Sequence, residues 1–412
     1  MINPRSLLRL VPLLAIALSA GCQRCGQIVW SADGARAAWY SGEPSNQAAI
    51  IDDQGNLLAE LGQSLGGFAW SADGRKLFYT SLESSPPTDI DRSMLDTDSP
   101  TTHPSSVSDD SDNPKGFAGT TVAQFAGGQH QPLFFLPRLK VIHLMLSPDQ
   151  NWLAIIAYRD ERSSDDRCEL YAYSLCANRL YQVSDQCALA ACFNAANHLV
   201  YIQPDEEHGR PLPQGRMVEM ALRDNPATAP QRNVLLEVLW SDTFWIQPLG
   251  EDLLLTTRKA SFPATTQPSA ATLFLFTPRN GALVPLAENV GPIFMPSPDG
   301  KFILLEQKST DGSTLSLINA NGSNPQSLCK LPSNLPMYPN WRTSEQITFA
   351  APFDANSPAS EGRTSTEVIQ YKLLDGRLQP LATLSTHWPQ SLKPTYRTED
   401  FTTTRPSPST QP

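Results

Sequence analysis

Short apolar segments recur along the chain, and each is introduced by a cluster of turn-forming residues. Trp30-Ser31-Ala32-Asp33-Gly34 leads into the segment from Ala35 to Ser41, and Trp70-Ser71-Ala72-Asp73-Gly74 leads into that from Arg75 to Ser81. Leu146-Ser147-Pro148-Asp149-Gln150 precedes Trp152 to Tyr158, and Pro296-Ser297-Pro298-Asp299-Gly300 precedes Lys301 to Gln307. Segments this short, rich in aliphatic and aromatic residues and bounded by Ser, Pro, Asp and Gly, are strands. Ser bonds locally to the backbone, Pro or Ala accepts the turn's negative φ, Asp caps the turn and Gly supplies the positive φ that ends it. Each copy predicts strand, turn, strand.

Three degenerate copies continue the register. Phe193-Asn194-Ala195-Ala196-Asn197 comes before Leu199 to Tyr201, with Asn197 in the glycine position, where its short side chain tolerates left-handed backbone. Ile246-Gln247-Pro248-Leu249-Gly250 comes before Leu253 to Thr257, and Trp341-Arg342-Thr343-Ser344-Glu345 before Ile347 to Ala350. Except for the step from Trp70 to Leu146, the spacing of the copies is near the roughly 40 to 50 residues of a four-stranded propeller blade. That step holds a stretch rich in Ser, Thr, Pro and Asp, read as a disordered acidic insertion over 82–119. Thr121 to Ala126 and Pro132 to Leu136 then supply the outer strands of its blade. Third strands are expected at Ala48 to Ile51, Glu169 to Tyr173, Val218 to Leu222, Thr272 to Phe276, Leu315 to Ile318 and Glu367 to Tyr371. The expected fold is all-β, a single propeller over 22–392 with seven four-stranded blades, followed by a disordered tail over 393–412.

The Trp-Ser-Pro/Ala-Asp-Gly repeat resembles that of TolB-like propellers over nearly the whole chain after its leader. The resemblance implies the fold; the same blades occur in envelope binding proteins and in propeller domains attached to peptidases. Unlike TolB, which carries an α/β domain before its blades, this chain reaches its first inner strand a few residues after Cys22. Closure without strand exchange between the two ends is therefore expected.

Residues 1–21 divide as an export signal does: Arg5 and Arg9, an apolar run from Leu10 to Ala20, then small residues. The run is too short to span a bilayer, which takes roughly 20 residues. Leu18-Ser19-Ala20-Gly21-Cys22 resembles the lipobox of bacterial lipoproteins, which implies cleavage before Cys22 and lipid on its sulfur. The expected location is the cell envelope, held through the lipid, with the outer membrane favoured by Gln23 after the cysteine.

Charge and composition narrow the partners. A net charge of -10 with no basic patch excludes nucleic acid, and 36 prolines disfavour long helices. Of the 7 cysteines, Cys168, Cys176, Cys187 and Cys192 crowd together. A hairpin turning at Ala177-Asn178 brings Cys168 opposite Cys187, where a disulfide can form if that register holds. No metal site is expected, since paired ligand spacing is missing, and no cofactor. Gly62-Gln63-Ser64-Leu65-Gly66 matches a nucleophile elbow, but that motif works between a strand and a helix, and here a strand follows. The six histidines, His103, His130, His143, His198, His208 and His387, show no ligand spacing. Trp30, Trp70 and Trp341 are expected to pack between blades, while Trp240, Trp245 and Trp388 are freer for contact with a partner. With no catalytic constellation, the expected role is a non-enzymatic scaffold holding an envelope protein or peptide. The alternative is a propeller hydrolase or lyase acting on extracellular glycan or peptide, which needs carboxylates along the axis.

Overall fold

The computed structural model describes residues 27–40, 46–85, 117–159, 168–187, 190–207, 210–224, 231–239, 243–258, 271–331, 339–350, 367–374 and 377–385. Its elements are all strands. The first sheet holds β1 (Gln27–Trp30), β2 (Arg36–Tyr40), β3 (Gln47–Asp52) and β4 (Leu57–Gln63) in that order. The second holds β5 (Phe68–Trp70), β6 (Lys76–Glu83), β7 (Gly119–Ala126) and β8 (Gln129–Pro137). The third holds β9 (Leu139–Leu146), β10 (Trp152–Arg159), β11 (Cys168–Ser174) and β12 (Arg179–Cys187). The fourth holds β13 (Ala191–Phe193), β14 (Leu199–Glu207), β15 (Arg210–Met220) and β16 (Arg232–Leu239).

The fifth sheet is 7-stranded: β17 (Thr243–Leu249), β18 (Asp252–Arg258), β19 (Ala271–Thr277), β20 (Ala282–Pro296), β21 (Phe302–Ser309), β22 (Gly312–Asn319) and β23 (Gln326–Leu331). It stands where two separate four-stranded blades are expected. β20 pairs with β19 from Ala282 to Val290 and with β21 from Val290 to Pro296, so one strand is the outer strand of one unit and the inner strand of the next. The last sheet holds β24 (Asn340–Thr343), β25 (Gln346–Ala350), β26 (Glu367–Leu374) and β27 (Arg377–Ser385). All neighbouring strands are antiparallel.

The inner turns form as their residue types dictate. In the first, Gly34 N–H donates to Ser31 O at 2.8 Å, Ser31 Oγ donates to Asp33 Oδ1 at 2.6 Å, and Asp33 Oδ1 accepts from Ala35 N. Gly34, Gly74 and Gly300 carry φ of 67°, 66° and 69°. The same serine to aspartate bond recurs at Ser71, Ser147 and Ser297. In the fourth sheet Asn194 Oδ1 accepts from both Ala196 N and His198 N, so one amide replaces the Ser and Asp pair. Asn197 takes φ 63°, as its place in the repeat predicts.

Two degenerate copies turn later than the repeat predicts. β17 continues through Leu249, which pairs with Asp252, so the reversal is the two residues Gly250 and Glu251. Thr343 pairs with Gln346 across Ser344 and Glu345. Neither turn has the Ser and Asp that hold the longer loop open. The expected insertion also begins later and ends earlier than 82–119: Leu82 pairs with Thr120 and Glu83 with Gly119, because the ladder still gains bonds there. Residues 86–116, 1–26 and 386–412 lie outside the described residues.

Among the described residues, the middle strands of the first five sheets bury both faces, which explains the near-continuous apolar runs. Ala38, Tyr40 and Ile50 pack with Phe68, Leu77 and Tyr79 between the first two sheets. Ala154, Ile156 and Leu170 pack with Phe193, Leu199 and Val218 between the third and fourth. Trp30 and Trp341 are buried, Trp70 half-buried, and each indole N–H reaches a different sheet: Trp70 donates to Val29 O, Trp341 to Met295 O and Trp30 to Thr348 Oγ1, at 2.9, 3.1 and 2.8 Å. The bond from Trp30 joins the first sheet to the last. Asn340 Nδ2 to Ile28 O and Arg342 Nε to Gly34 O add to this junction, and the Arg342 guanidinium lies 4.6 Å from the Trp30 ring centroid. Among the described residues the ring closes by side chains, with no strand exchanged between the first and last sheets.

Candidate binding site at the axis

Antiparallel order gives the molecule two unlike faces. Each inner strand runs toward its tight turn, which is Ser-x-Asp in four units, and turns of neighbouring sheets touch: Gln150 Oε1 accepts from Ala72 N, and Asn197 Oδ1 accepts from Asp149 N at 2.8 Å. One face is therefore built largely of tight turns. The other receives the starts of the inner strands and the three longest connections, 84–118, 259–270 and 351–366, together with 160–167.

The inner strands are β1, β5, β9, β13, β17, the end of β20 and β24, and none of them contains Asp or Glu. His143 sits in the middle of the apolar strand β9, and its ring meets that of Trp245 from β17 edge-on, with centroids 5.0 Å apart. The fourth sheet lies between these two strands in chain order, so the contact passes its axial end. β13 leaves room for it, being only Ala191–Phe193 and preceded by Ala190. Leu65, from the link between the first two sheets, and Met145 pack against the core between the third and fourth sheets. His143 keeps some solvent contact but is surrounded by protein, and burial pushes its pKa down to about 4. It is a neutral imidazole near pH 7, able to donate or accept one hydrogen bond. Among the described residues no nucleophile or carboxylate bonds to it.

Against β20, the buried Glu306 carboxylate lies over Gly291, where a Cβ would collide with Oε2, and Ser313 Oγ donates to its Oε1 at 2.5 Å. Ser64 of the elbow-like motif is buried, shares a hydrogen bond with Thr80 Oγ1 and accepts from Gly66 N. It serves the link between two sheets and has no histidine beside it. His130 bonds Tyr79 OH and His198 lies 3.2 Å from Glu219 Oε1, so both are held by neighbours away from His143. His103, His208, His387, Trp240, Trp388 and Cys22 lie outside the described residues.

The cysteine cluster separates. Cys168 and Cys187 are Cα partners across β11 and β12, by a different route from the one the sequence predicts. The turn takes four residues, Leu175 to Asn178, so Ser174 pairs with Arg179; two register shifts then bring the cysteines opposite. Cys192 is buried in apolar surroundings that push its thiol up to about 12, and Cys176 is exposed at the turn, 3.4 Å from Asn151 Oδ1. Among the described residues no group of His, Cys, Asp and Glu is arranged to hold a metal ion.

The His143 and Trp245 pair was not legible in the sequence. A histidine inside Val-Ile-His-Leu-Met-Leu is a weak signal, and only the ring arrangement brings it to a tryptophan about a hundred positions away.

No family model matches the chain, and no curated protein sequence matches it. Among solved structures, the β-propeller domain of the Trilobed protease from Pyrococcus furiosus is similar over 88% of this chain and 97% of its own, with 9% identity and a TM-score of 0.54. TolB from Acinetobacter baumannii is similar over 86% of this chain and 79% of its own, with 14% identity and a TM-score of 0.40. The tricorn protease is similar over 73% of this chain, which spans 31% of that protein, with 12% identity and a TM-score of 0.44. These likenesses concern the fold alone, a β-propeller.

Proposed function

We propose that this is a lipid-anchored envelope protein whose propeller binds a protein or peptide and does not transform it. The observation that carries the binding role is the axial pair: a neutral histidine edge-on to a tryptophan, on inner strands without a single carboxylate. Such a site offers apolar contact and one adaptable hydrogen bond, which fits an apolar or aromatic side chain of a partner. Glycoside hydrolysis would require a pair of carboxylates roughly 5 to 10 Å apart, and the inner strands supply none.

The anchor reading rests on the lipobox-like Leu18 to Cys22. Residues 23–26 between Cys22 and β1 span at most about 14 Å when extended. Lipid on Cys22 would therefore hold the face bearing the long connections toward the membrane and turn the Ser-x-Asp face outward. The acidic insertion leaves from that same membrane-side face, at Glu83 and Gly119, and anionic headgroups would repel it.

Cells fed radiolabelled fatty acid should label the natural protein and leave Cys22→Ser unlabelled; an unlabelled natural protein overturns the anchor. For binding, a photo-crosslinking residue at position 245 should trap a discrete envelope protein or peptide, and the adduct should disappear in His143→Ala. Cleavage of glycan or peptide by the purified protein, lost in that variant, would overturn the non-enzymatic reading.

A further inference from the structure

We propose that Cys168 and Cys187 form a disulfide that staples the third sheet on the face carrying the long connections. Near the turn, the pairing of Ser174 with Arg179 and of Tyr171 with Gln182 would carry Cys168 to Asp185 if it ran on unbroken. Two shifts intervene, one between Tyr171 and Leu170 and one between Leu170 and Cys168, and each adds a residue on β12. Their combined effect brings Cys187 to Cys168.

Outer ladders are shifted in the other units too. The bulges are thus part of how these sheets curve, and the cysteines occupy the two positions that the curved register makes partners. Directly opposed residues of an antiparallel pair have Cα atoms about 4.5 to 5.5 Å apart, inside the roughly 4.4 to 6.8 Å span of disulfides. Cys168 is half-buried on the face packed against the fourth sheet, so the bond would be shielded from bulk reductant.

The neighbouring thiols do not compete. Cys176 lies at the turn end of the hairpin, the full length of β11 away from Cys168. Cys192 faces the opposite side of the fourth sheet, packed with Val200, Ile246 and Leu253. Cys168 opens β11 directly after 160–167, and Cys187 ends β12 just before the link to β13. The bond would clamp the strand ends from which both segments leave.

The chemistry is thiol exchange with a small-molecule disulfide such as oxidised glutathione. One cysteine thiolate attacks a donor sulfur and expels a donor thiolate; the second cysteine thiolate attacks the mixed disulfide and expels the other. The two cysteine protons pass to the expelled thiolates, so the cysteines are oxidised by two electrons and the donor yields two thiols. In the cell this step rests on the export reading, because an oxidising compartment is required.

The test is mass mapping of the exported protein, alkylated in denaturant without reduction and then digested. A peptide joining Cys168 to Cys187, with Cys176 and Cys192 alkylated, is the expected result. Alkylated Cys168 and Cys187, or either one joined to another cysteine, counts against the pairing. A parallel sample made reduced and then oxidised with glutathione separates the two readings: the bond forming there but not in cells overturns export, and its absence from both overturns the pairing. Cys168→Ser should lower the thermal midpoint of the oxidised protein by several degrees and leave that of the reduced protein nearly unchanged. An equal drop in both states would mean that the residue acts by packing alone and would sink the staple.

Discussion

Gln150 and Asn197 hold φ of 60° and 63° at the turn position where Gly34, Gly74 and Gly300 stand in the other sheets. A side chain in left-handed backbone costs roughly 1 to 2 kcal/mol, less for asparagine. Here each side chain offsets the cost by accepting a backbone N–H from the turn of the preceding sheet. Asn197→Ala should lose both the bond and the tolerance, for about 1 to 2 kcal/mol. Asn197→Gly should lose only the bond and fall between the two, as read from denaturant midpoints. The turn aspartates add a pH dependence. Hydrogen bonds from Ser31 and Ser71 first, then from backbone N–H groups, hold Asp33 and Asp73 below the ordinary value of 3.8. At Asp149 and Asp299 burial pushes upward, but bonds from Ser147 and Ser297 and the following residues outweigh it. A carboxylate depressed in the folded state contributes stability that is present above 3.8 and is lost as pH falls through its lower folded value. Ser147→Ala should therefore move acid unfolding, followed by circular dichroism, to higher pH. His143 acts in a higher window. With its pKa lowered from 6.5 to about 4, its contribution is full above 6.5 and declines as pH falls toward 4. In a histidine NMR titration one imidazole should stay neutral at pH 5, and that signal should vanish in His143→Phe.

At the scale of the strand, the tryptophan before the turn anchors its sheet to the one before it. Trp70 reaches Val29 O and Trp341 reaches Met295 O, bonds that only an indole N–H at this position makes. Trp70→Phe keeps most of the apolar area and removes the donor, so it should cost about 1 kcal/mol, visible as a lower unfolding midpoint. The preference for interblade packing over exposed stacking was readable from the repeat, because residues at one repeat position share one environment. Trp245, outside that position, was read as freer for contact with a partner; it is half-buried, edge-on to His143, at the proposed binding site. β20 shows the limit of reading elements one at a time. Its Gly291 and Pro292 look like punctuation in sequence, yet the strand continues through them and serves two units. Gly291 is there for close approach: a Cβ would press on the Glu306 carboxylate.

For the whole molecule, the junction between the first and last sheets is unlike the others, because no chain passes directly through it. Trp30, Asn340 and Arg342 hold it together, with Arg342 also 3.5 Å from Asp53. Burial lowers the Arg342 pKa while Asp53 opposes that shift. Lysine would keep the charge but lose the guanidinium's cation–π contact with Trp30 and the fixed donor to Gly34 O. Arg342→Lys should accelerate amide exchange in β1 and β24 several-fold, while β9 and β13 exchange as before; uniform acceleration would mean global destabilisation and no local opening.

The sequence by itself determined the repeat unit, the Ser-x-Asp-Gly turns and the positions of most strands. These are local matters, set by turn chemistry and by apolar segments that need burial on both faces. The tertiary structure decided what depends on residues meeting across the ring: His143 on Trp245, the turn-to-turn bonds of Gln150 and Asn197, and the side-chain closure at Arg342. It also decided how β20 joins two units and how bulges bring Cys187 opposite Cys168. Register shifts and interblade contacts arise from sheet curvature and ring closure, and neither leaves a periodic trace along the chain.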